Sequence, residues 1–431
     1  MNILIIGGGG REHALAWKAA QSPLAEQVYV APGNAGTALE PGLENVAIAV
    51  DDSEALVQFA ADNDVGLTIV GPEAPLVAGL VDRFQAAGLG CFGPTRGAAQ
   101  LEGSKAFTKD FLARHEIPTA AYRTFSEVEP ALAYLHEVGA PIVVKADGLA
   151  AGKGVILAPD LATAETAVRE MLSGNRFGEA GHRVVLEELL RGEEASFIVM
   201  VDGEHILPMA TSQDHKPRDD GDRGPNTGGM GAYSPAPVVT PQLHERIMAQ
   251  VIRPTVAGMA AEGLPYTGFL YAGLMIGEDG GVKVLEYNCR FGDPETQPIM
   301  LRLKSDLVAL CLAALEGKLD RVQAEWDPRV SLGVVMAAGG YPDSYAKGSV
   351  ISGLPDADSP ETKVFHAGTK TEGAAIVTTG GRVLCVTALG DSVSAAQQGA
   401  YRVARQIHWQ DAYYRRDIGH RAVAREQGGR D

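Results

Sequence analysis

The chain has 431 residues, 45% of them hydrophobic, and a formal net charge of −17. This length predicts several domains, and the negative charge argues against a nucleic-acid surface and against docking on anionic lipid. The four cysteines lie far apart and no apolar run has the length of a transmembrane helix, so we predict reduced thiols and a cytoplasmic protein that binds neither membrane nor nucleic acid.

The first hundred residues alternate short apolar strands with helical stretches, which is the βαβ rhythm of a parallel sheet. We expect ligands at the loops that follow the strands, because the carboxyl ends of strands in an open α/β sheet meet at one edge. The predicted strands are Ile3–Ile6, Val28–Ala31, Val46–Ala49, Leu67–Val70 and Gly90–Phe92, and the predicted helices are Glu12–Ala20, Ser53–Asn63 and Leu76–Ala87.

The loop after the first strand reads G-G-G-G-R-E-H from residue 7 and fails as a dinucleotide fingerprint. Glu12 occupies the place of the third glycine, and the second strand ends in A-P-G rather than in the acidic residue that would hold a ribose hydroxyl. A phosphate or ribose contact at the loop amides and the helix N-terminus is the favoured interpretation, with Arg11 or His13 adding charge. The alternative is that the glycines only form a tight turn.

A second unit begins near residue 104 with a predicted helix over Ser104–His115, for which Ser104 is the N-cap. Residues 141–157, P-I-V-V-K-A-D-G-L-A-A-G-K-G-V-I-L, then place two β-branched strands around a glycine-rich loop that carries Lys153. The segment is not a P-loop, since it has three spacer residues, a glycine after the lysine and a strand afterwards. We interpret it as a flap over nucleotide phosphates, with a mobile surface hairpin as the alternative.

Two further polar segments follow the flap. Residues 184–197 are predicted to be two strands around a short loop, in which Glu187 and Glu194 could accept hydrogen bonds from an adenine amino group and ribose hydroxyls. The alternative is an exposed loop that carries Glu188, Glu193 and Glu194 as solvated charges. Residues 211–235 form a long polar loop, which inside a compact protein tends to be a lid or disordered. Its second half is suited to close approach of a ligand, and its middle, Arg218–Gly224, is predicted to be mobile.

The most informative segment is V-K-V-L-E-Y-N-C-R-F-G-D-P-E-T-Q, residues 282–297. Its first seven residues alternate like a strand, so Glu286 and Asn288 should project from the same face. Arg290 has the same parity if the strand persists. A carboxylate oxygen beside an amide oxygen is the kind of hard-oxygen site that Mg²⁺ prefers. The alternative is a structural strand with a solvated polar face.

The last hundred residues have the pattern of a small α+β domain, after a helix over Asp306–Leu315 and a boundary near residues 318–329. Their predicted strands are Leu332–Ala337, Lys363–His366, Ala374–Thr378 and Arg382–Ala388, and their predicted helix is Ser392–Gln406.

The glycine flap, the lysines before and within it, the glutamates after it and Glu-x-Asn on a strand together resemble the ATP-grasp enzymes. Four runs resemble the glycinamide ribonucleotide synthetases more closely, and this similarity extends from residue 2 to about 424. They are R-F-G-D-P-E at 290–295, G-P-N-T-G-G-M-G-A-Y-S-P at 224–235, S-Q-D-H-K at 212–216 and the opening G-G-G-G-R-E-H.

This resemblance implies an α/β multidomain fold in three parts. They are a Rossmann-like N-terminal domain with a parallel sheet over 1–103, an ATP-grasp domain over 104–325 with a lid subdomain at about 124–190, and a small α+β C-terminal domain over 326–431.

The resemblance also implies ATP and Mg²⁺ or Mn²⁺ as cofactors. Relatives in the wider superfamily often carry another acidic metal ligand on the preceding strand, but residues 268–275 contain no acid, so the number of metal ions stays open. The implied contacts are Lys105, Lys145 and Lys153 at the ATP phosphates, Glu187 and Glu194 at adenine and ribose, and Glu286 and Asn288 at the metal.

The family reaction joins glycine to 5-phosphoribosylamine at the expense of ATP, through glycyl phosphate, in purine synthesis. We predict that Arg290 holds an anion near the transfer, either the glycine carboxylate or the γ-phosphate, with an ion pair to Asp293 or Glu295 as the alternative. Lys153 is the second predicted catalytic residue. The predicted substrate contacts are Gly9, Arg11, Asp214, Lys216 and Asp293.

Three other functions compete with this interpretation. They are another ATP-dependent carboxylate–amine ligase or a carboxylating relative, a nucleotide sensor that kept the fold, and a Rossmann oxidoreductase. The flap lysine and the metal pair argue against a sensor, and the failed fingerprint argues against an oxidoreductase. We expect the protein to act on small molecules as a monomer.

Overall fold

The computed structural model describes residues 1–149, 154–173, 182–357 and 359–428. The predicted flap residue Lys153 lies outside these ranges. Within them the chain forms an N-terminal parallel sheet, two antiparallel four-stranded sheets and a five-stranded antiparallel sheet, with two additional hairpins. No helix of the described ranges is long and apolar enough to cross a membrane.

The N-terminal sheet is parallel, as predicted, because each helix returns the chain to the same end of the sheet. Its strands are β1 (Asn2–Gly7), β2 (Gln27–Pro32), β3 (Leu43–Asn45), β4 (Val65–Val70) and β5 (Cys91–Phe92), and its helices are α1 (Gly10–Ala19), α2 (Ala35–Leu39), α3 (Ser53–Asp62), α4 (Glu73–Val77) and α5 (Leu80–Ala86). The order β3-β2-β1-β4-β5 places β1 at the centre, where its apolar side chains are fully buried.

Two N-terminal predictions were wrong in detail. The third strand ends at Asn45, because its pairing with β2 stops there and residues 46–49 continue past the sheet as irregular chain. The predicted single helix over Leu76–Ala87 is two helices, α4 and α5. Gly79 separates them with φ of +88°, a left-handed conformation that a right-handed helix excludes.

The lid contains a four-stranded antiparallel sheet that two helices cover. Its elements are β6 (Tyr122–Phe125), α8 (Val128–Val138), β7 (Ile142–Ala146), β8 (Val155–Ala158), α9 (Leu161–Leu172) and β9 (Val184–Glu188), with strand order β6-β9-β7-β8. The helices α6 (Gln100–Gly103) and α7 (Lys105–Arg114) precede it, and the Ser104 hydroxyl accepts from Phe107 N as the predicted N-cap. Buried alanine, leucine and valine side chains from both helices form the lid core.

The central sheet stands next to the lid and has the order β11-β10-β16-β17. Its strands are β10 (Glu193–Asp202), β11 (Ile206–Pro208), β16 (Thr267–Ile276) and β17 (Val282–Asn288). Helices α10 (Pro241–Ile247), α11 (Arg253–Ala261), α12 (Thr296–Arg302) and α13 (Leu307–Leu315) accompany it, with a π-helical turn over Met248–Ile252 and a 3₁₀ turn over Leu319–Arg321. Buried residues of β10 and β16 contribute to two separate cores, because these central strands are covered on both faces.

The last sheet combines strands from the middle and the end of the chain in the order β12-β15-β18-β22-β19. Its strands are β12 (Gln213–Asp214), β15 (Gly231–Ser234), β18 (Val330–Ala337), β19 (Thr362–His366) and β22 (Arg382–Gly390), and its helices are α14 (Val393–Ala404) and α15 (His420–Gly428). Two hairpins are β13 (Pro217–Asp219) with β14 (Arg223–Asn226), and β20 (Thr369–Glu372) with β21 (Ala375–Thr378). The C-terminal strands and the helix after them agree with the sequence prediction.

The prediction of a long structureless loop over residues 211–235 was wrong. Strands β12 and β15 pair with each other and extend the C-terminal sheet, and the supposedly mobile middle forms the β13–β14 hairpin. The fully buried guanidinium of Arg415 bonds Asp222 at 2.9 Å and the Pro217 carbonyl at 3.1 Å. These contacts come from about 200 residues further along the chain, so a local reading of the polar segment could not reveal them.

We predict that the N-cap of α13 contributes about 1 kcal/mol to stability. Asp306 accepts from the amides of Val308 and Ala309 and from the hydroxyl of Ser22, so Asp306→Ala leaves these donors without their acceptor. Denaturant titration should show a loss of about 1–2 kcal/mol for Asp306→Ala. Asp306→Asn retains a capping oxygen and is the matched control. Equal losses in both variants would contradict the assignment to capping.

Candidate active site

A cleft of about 450 Å³ opens between the lid, the central sheet and the N-terminal loops. Its lining carries many charged side chains of both signs, and it brings together most of the predicted site residues from distant parts of the sequence. The predicted residues that line it are Arg11, Lys105, Lys145, Glu187, Asp214, Lys216, Glu286, Asn288, Arg290 and Asp293.

Lysines and one glutamate form a buried cluster on the lid side of the cleft. Glu187 Oε2 lies 3.0 Å from Lys145 Nζ and 2.9 Å from Lys109 Nζ. Burial lowers the pKa of Lys109 to about 8, against the opposing effect of Glu187. The other carboxylate oxygen of Glu187 is buried without a hydrogen-bond partner among the described residues. This oxygen is an acceptor that a ligand donor can satisfy.

Lys105 begins α7 and donates from Nζ to the carbonyl of Gly148 at 2.9 Å. Gly148 lies at the base of the flap, so this contact joins the flap to the helix. The cap residue Ser104 strengthens the same junction, since its hydroxyl donates to Asp147 at 3.0 Å. This hydrogen bond therefore holds Lys105 beside Gly148, close to the point where the predicted flap begins.

The predicted metal pair lies on β17. Glu286 and Asn288 both line the cleft, while Tyr287 between them is buried in the core behind the strand. The pairing of β16 with β17 shifts register around Leu285, yet the alternation holds from Glu286 to the end of the strand. Lys216 is the main cause that lowers the pKa of Glu286 to about 2, so this carboxylate is ionised at neutral pH. A carboxylate and an amide oxygen in one wall fit a hard divalent cation.

Lys216 stands across from this pair. Its Nζ lies 3.2 Å from Glu286 Oε1 and 3.1 Å from Glu194 Oε2, so the ammonium bridges the two acids that the sequence assigns to metal and ribose. Two residues earlier, burial and then Glu295 raise the pKa of Asp214 well above its usual range. The Oδ1 atom of Asp214 has no hydrogen-bond partner in the part of the chain that the structure describes.

Arg290 lines the cleft, but it is not part of strand β17. The expectation that the strand would extend to residue 290 was wrong. Strand β17 ends at Asn288, and Arg290 belongs to the bend that follows. Its guanidinium lies 2.9 Å from Glu102 Oε1 and 3.3 Å from Glu73 Oε2, and it donates to the Phe291 carbonyl at 3.2 Å. Burial opposes its charge, but the two carboxylates raise its pKa above the ordinary value.

The ion-pair partners named in the alternative interpretation of Arg290 were wrong. Asp293 pairs with Arg382 at 3.0 Å, and Glu295 accepts from the hydroxyl of Ser196 at 2.9 Å. No local pattern pointed to Glu73 or Glu102, because both lie on helices that come next to Arg290 only in the folded chain.

A second cavity of about 340 Å³ opens beside the first, between the N-terminal glycine loop and the C-terminal sheet. Asp293 and Arg382 line both cavities, so the two are adjacent. The predicted residue Gly9 lies here, whereas Arg11 faces the first cleft and pairs with Glu12. The remaining polar lining comes from Asn34, Thr369 and Thr379.

Three family models cover most of the chain. The N domain of phosphoribosylglycinamide synthetase matches residues 1–102, its ATP-grasp (A) domain matches residues 103–296, and its C domain matches residues 331–421. A phosphoribosylamine–glycine ligase of Allochromatium vinosum is 73% identical over 427 residues, which are 99% of this chain and all of that protein. The chain belongs to the phosphoribosylglycinamide synthetase family.

Other members of this family show the same similarity. A phosphoribosylamine–glycine ligase of Escherichia coli K12 is 71% identical over 99% of this chain and over its own full length. The crystal structure of a phosphoribosylamine–glycine ligase from Thermotoga maritima superposes with a TM-score of 0.85 at 33% identity, over 97% of this chain and all of that one. The predicted family and the predicted fold class, with its parallel N-terminal sheet and ATP-grasp core, are confirmed.

The fold extends beyond the family. The biotin carboxylase domain of a 2-oxoglutarate carboxylase from Hydrogenobacter thermophilus superposes with a TM-score of 0.74 at 16% identity, over 96% of this chain and 91% of that one. At this identity the likeness concerns the fold alone.

Sequence reasoning missed several charged residues of the site. Lys109 follows Lys105 by one helical turn, so the i, i+4 spacing on the predicted helix could have pointed to it. Arg382 had no such signal, because it begins a strand of the C-terminal sheet and reaches Asp293 across the chain. The two cavities therefore depend on residues from all three regions matched by the family models.

His215 fixes the backbone beside Lys216. Its amide donates to the carbonyl of Gly231 at 2.9 Å, and its ring nitrogen Nε2 accepts from the amide of Gly419 at 3.0 Å. A ring that accepts at Nε2 must be neutral. Burial, assisted by the nearby positive charge of Arg415, lowers the pKa of His215 to about 4.

We predict that His215 makes the folded state sensitive to mild acid. The unfolded ring binds a proton near pH 6.5 and the folded ring near pH 4, so stability falls as the pH drops through this window. The expected contribution is a loss of about 2 kcal/mol between pH 7 and pH 5, measured by denaturant titration. His215→Asn should lack this loss, and His136→Asn, at an exposed position, is the control. Identical pH dependence in the wild type and His215→Asn would contradict a neutral buried ring.

Proposed function

We propose that this chain joins glycine to 5-phosphoribosylamine with cleavage of ATP, giving glycinamide ribonucleotide, ADP and phosphate in de novo purine synthesis. Its family membership over nearly the whole chain supports this assignment. The structural observation that supports this assignment most strongly is that two cavities lie side by side. One has lysines and a hard-oxygen pair suited to a metal nucleotide, and the other opens beside it at Asp293 and Arg382.

The first cleft is the proposed ATP site. The Glu187 oxygen without a hydrogen-bond partner among the described residues is the proposed acceptor for the adenine amino group. Glu194 is not part of the cleft lining, but it contacts the lining residue Lys216 at 3.1 Å and is the proposed ribose contact. Lys145 reaches from Glu187 to the carbonyl of Leu285, next to the metal pair, at 3.3 Å. Lys105 and Lys145 are the proposed phosphate contacts in the described part of the cleft. Lys153, outside the described residues, stays a proposed phosphate and catalytic lysine of the flap.

Glu286 and Asn288 are the residues that would hold the divalent metal, and we propose Mg²⁺, since both donors are oxygens and phosphates complete the shell. The metal would neutralise the charge of the phosphates during transfer. Mn²⁺ has the same preference for oxygen ligands and is a suitable spectroscopic substitute.

Glycine activation brings two anions together, because the glycine carboxylate must attack the γ-phosphoryl group. Arg290 lines the cleft and is the proposed holder of one of them, with Glu73 and Glu102 fixing the orientation of its guanidinium. Asp214 and Lys216 also face this region and are proposed substrate contacts. A closed flap would protect the glycyl phosphate intermediate from water.

The second cavity is the proposed site of phosphoribosylamine. The start of α1 and the glycine loop form one side, and Thr369 and Thr379 add hydroxyl groups on the other. A helix N-terminus favours a phosphate group. Asp293, at the junction with the first cleft, is the proposed contact that orients the neutral amine toward the acyl phosphate. Gly9 lines this second cavity, whereas Arg11 lines the neighbouring first cleft.

Phosphate release tests the assignment. Release from ATP should require Mg²⁺, glycine and freshly generated phosphoribosylamine, so that omission of any component abolishes it. Glu286→Ala should reduce the rate by at least about 100-fold, because the metal loses its charged ligand. Val350→Ala, at an exposed position far from both cavity linings, is the control that should retain the wild-type rate.

Release with a different carboxylate or amine would overturn the substrate assignment. Absence of release with every combination would overturn the ligase. The monomeric state, the cytoplasmic location and the lack of nucleic-acid binding stay predictions.

We predict that Arg290→Lys raises the glycine KM or lowers kcat by at least about 10-fold, since a lysine cannot reproduce the planar guanidinium fork. Glu102→Gln is the matched comparison, because it removes one charge that orients Arg290 and leaves the guanidinium in place. It should have a smaller effect. Near-normal turnover and glycine KM in Arg290→Lys would contradict a substrate role for Arg290.

A further inference from the structure

Two ion-paired clusters of the cleft differ in the exposure of their side chains. The side chains of Lys109, Lys145 and Glu187 are 3%, 9% and 3% exposed, so this cluster is buried in the wall of the cleft. The side chains of Lys216 and Glu286 are 27% and 37% exposed. The second ion pair is therefore open to solvent and to an entering ligand.

Lys216 is the lysine that contacts Glu286 within the described part of the cleft. Lys105 and Lys145 also act on the charge of Glu286, but at longer range. The first donates to the carbonyl of Gly148, and the second is bound to Glu187. Their hydrogen bonds are thus made with other partners, and among the lysines that the structure describes only Lys216 places its ammonium on an oxygen of Glu286.

The backbone of Lys216 is fixed, whereas its side chain is 27% exposed and is held by ion pairs to Glu286 and Glu194 alone among the described residues. The Lys216 carbonyl accepts from both the amide and the hydroxyl of Thr227 at 2.8 Å. The neighbouring His215 is held by Gly231 and Gly419. A lysine side chain has four rotatable carbons behind its ammonium, so the charge can leave Glu286 without any movement of the hairpin.

We propose that Lys216 is an exchangeable counter-ion of the metal site, which neutralises Glu286 in the empty cleft and releases it when the divalent metal binds. The inference rests on the proposed function, since it takes Glu286 and Asn288 as the metal ligands. Its physical basis is the cost of an uncompensated carboxylate in a cleft. The 3.2 Å contact of Lys216 holds the Glu286 carboxylate in place, and in return the ammonium competes with the metal for the same oxygen.

Metal affinity in the absence of nucleotide tests this role directly. Binding of Mn²⁺ to the full chain is followed by the loss of the free-ion electron paramagnetic resonance signal. Lys216→Met and Lys216→Gln should each bind Mn²⁺ at least about 10-fold more tightly than the wild type, because the competing cation is gone. Lys216→Arg keeps a cation at the site and should bind no more tightly than the wild type. A residue with a purely structural role would not increase metal affinity when it is removed.

Lys105→Met is the matched control that separates the loss of a direct contact with Glu286 from the loss of a positive charge in its neighbourhood. It removes one positive charge that acts on Glu286 without contacting it, so the expected gain in Mn²⁺ affinity is at most about 2-fold. Equal gains in Lys105→Met and Lys216→Met would overturn the counter-ion role. An unchanged affinity in Lys216→Met or Lys216→Gln would overturn it as well. Two neutral variants of Lys216 are made, so that the comparison can still be carried out if one of them does not fold.

Glu286→Gln separates this inference from the proposed function. It should weaken Mn²⁺ binding by at least about 10-fold in the wild-type background. If Glu286→Gln leaves the affinity unchanged, the proposed metal site fails, and the counter-ion role fails with it. If Glu286→Gln weakens binding while Lys216→Met brings no gain, the metal site stands and only the counter-ion role is overturned.

Discussion

The negative charge of Glu286 is the constraint on which the rest of the cleft depends. A carboxylate in a partly enclosed site is costly unless positive charge lies close by. Lys216 supplies the contact, while Lys145 and Lys105 contribute at longer range. The same concentration of positive charge suits the phosphates of the proposed nucleotide.

Holding these charges in place requires contacts between distant parts of the chain. Lys216 directly precedes the β13–β14 hairpin, which Arg415 near the C-terminus binds at Pro217 and at Asp222. Arg290 is oriented by acids from the N-terminal unit and from α6. Asp293 is paired with Arg382 of the C-terminal sheet. The cleft is therefore a product of the whole chain rather than of one domain.

Local patterns were sufficient for most of the regular elements and for the placement of Glu286 and Asn288 on one strand that lines the cleft. The alternation around Glu286 predicts its strand, and Asn288 follows on the same face because a strand has a period of two. The same reasoning failed two residues later, since Arg290 lies beyond the end of the strand. Local reasoning also failed for residues 211–235, whose polar composition suggested a loop. In the structure these residues form strands and a hairpin, because they pair with β18 and contact the C-terminal segment.

The sequence by itself determined the fold class, the family and the residue types of the site, because strand and helix periods and short motifs depend on neighbours in the chain. Only the tertiary structure decided which charges are paired. Lys109 with Glu187, Arg290 with Glu102 and Lys216 with Glu286 join residues that are 70 or more positions apart. Ion pairs of this kind depend on distance in space, and a one-dimensional pattern of charges does not contain that distance.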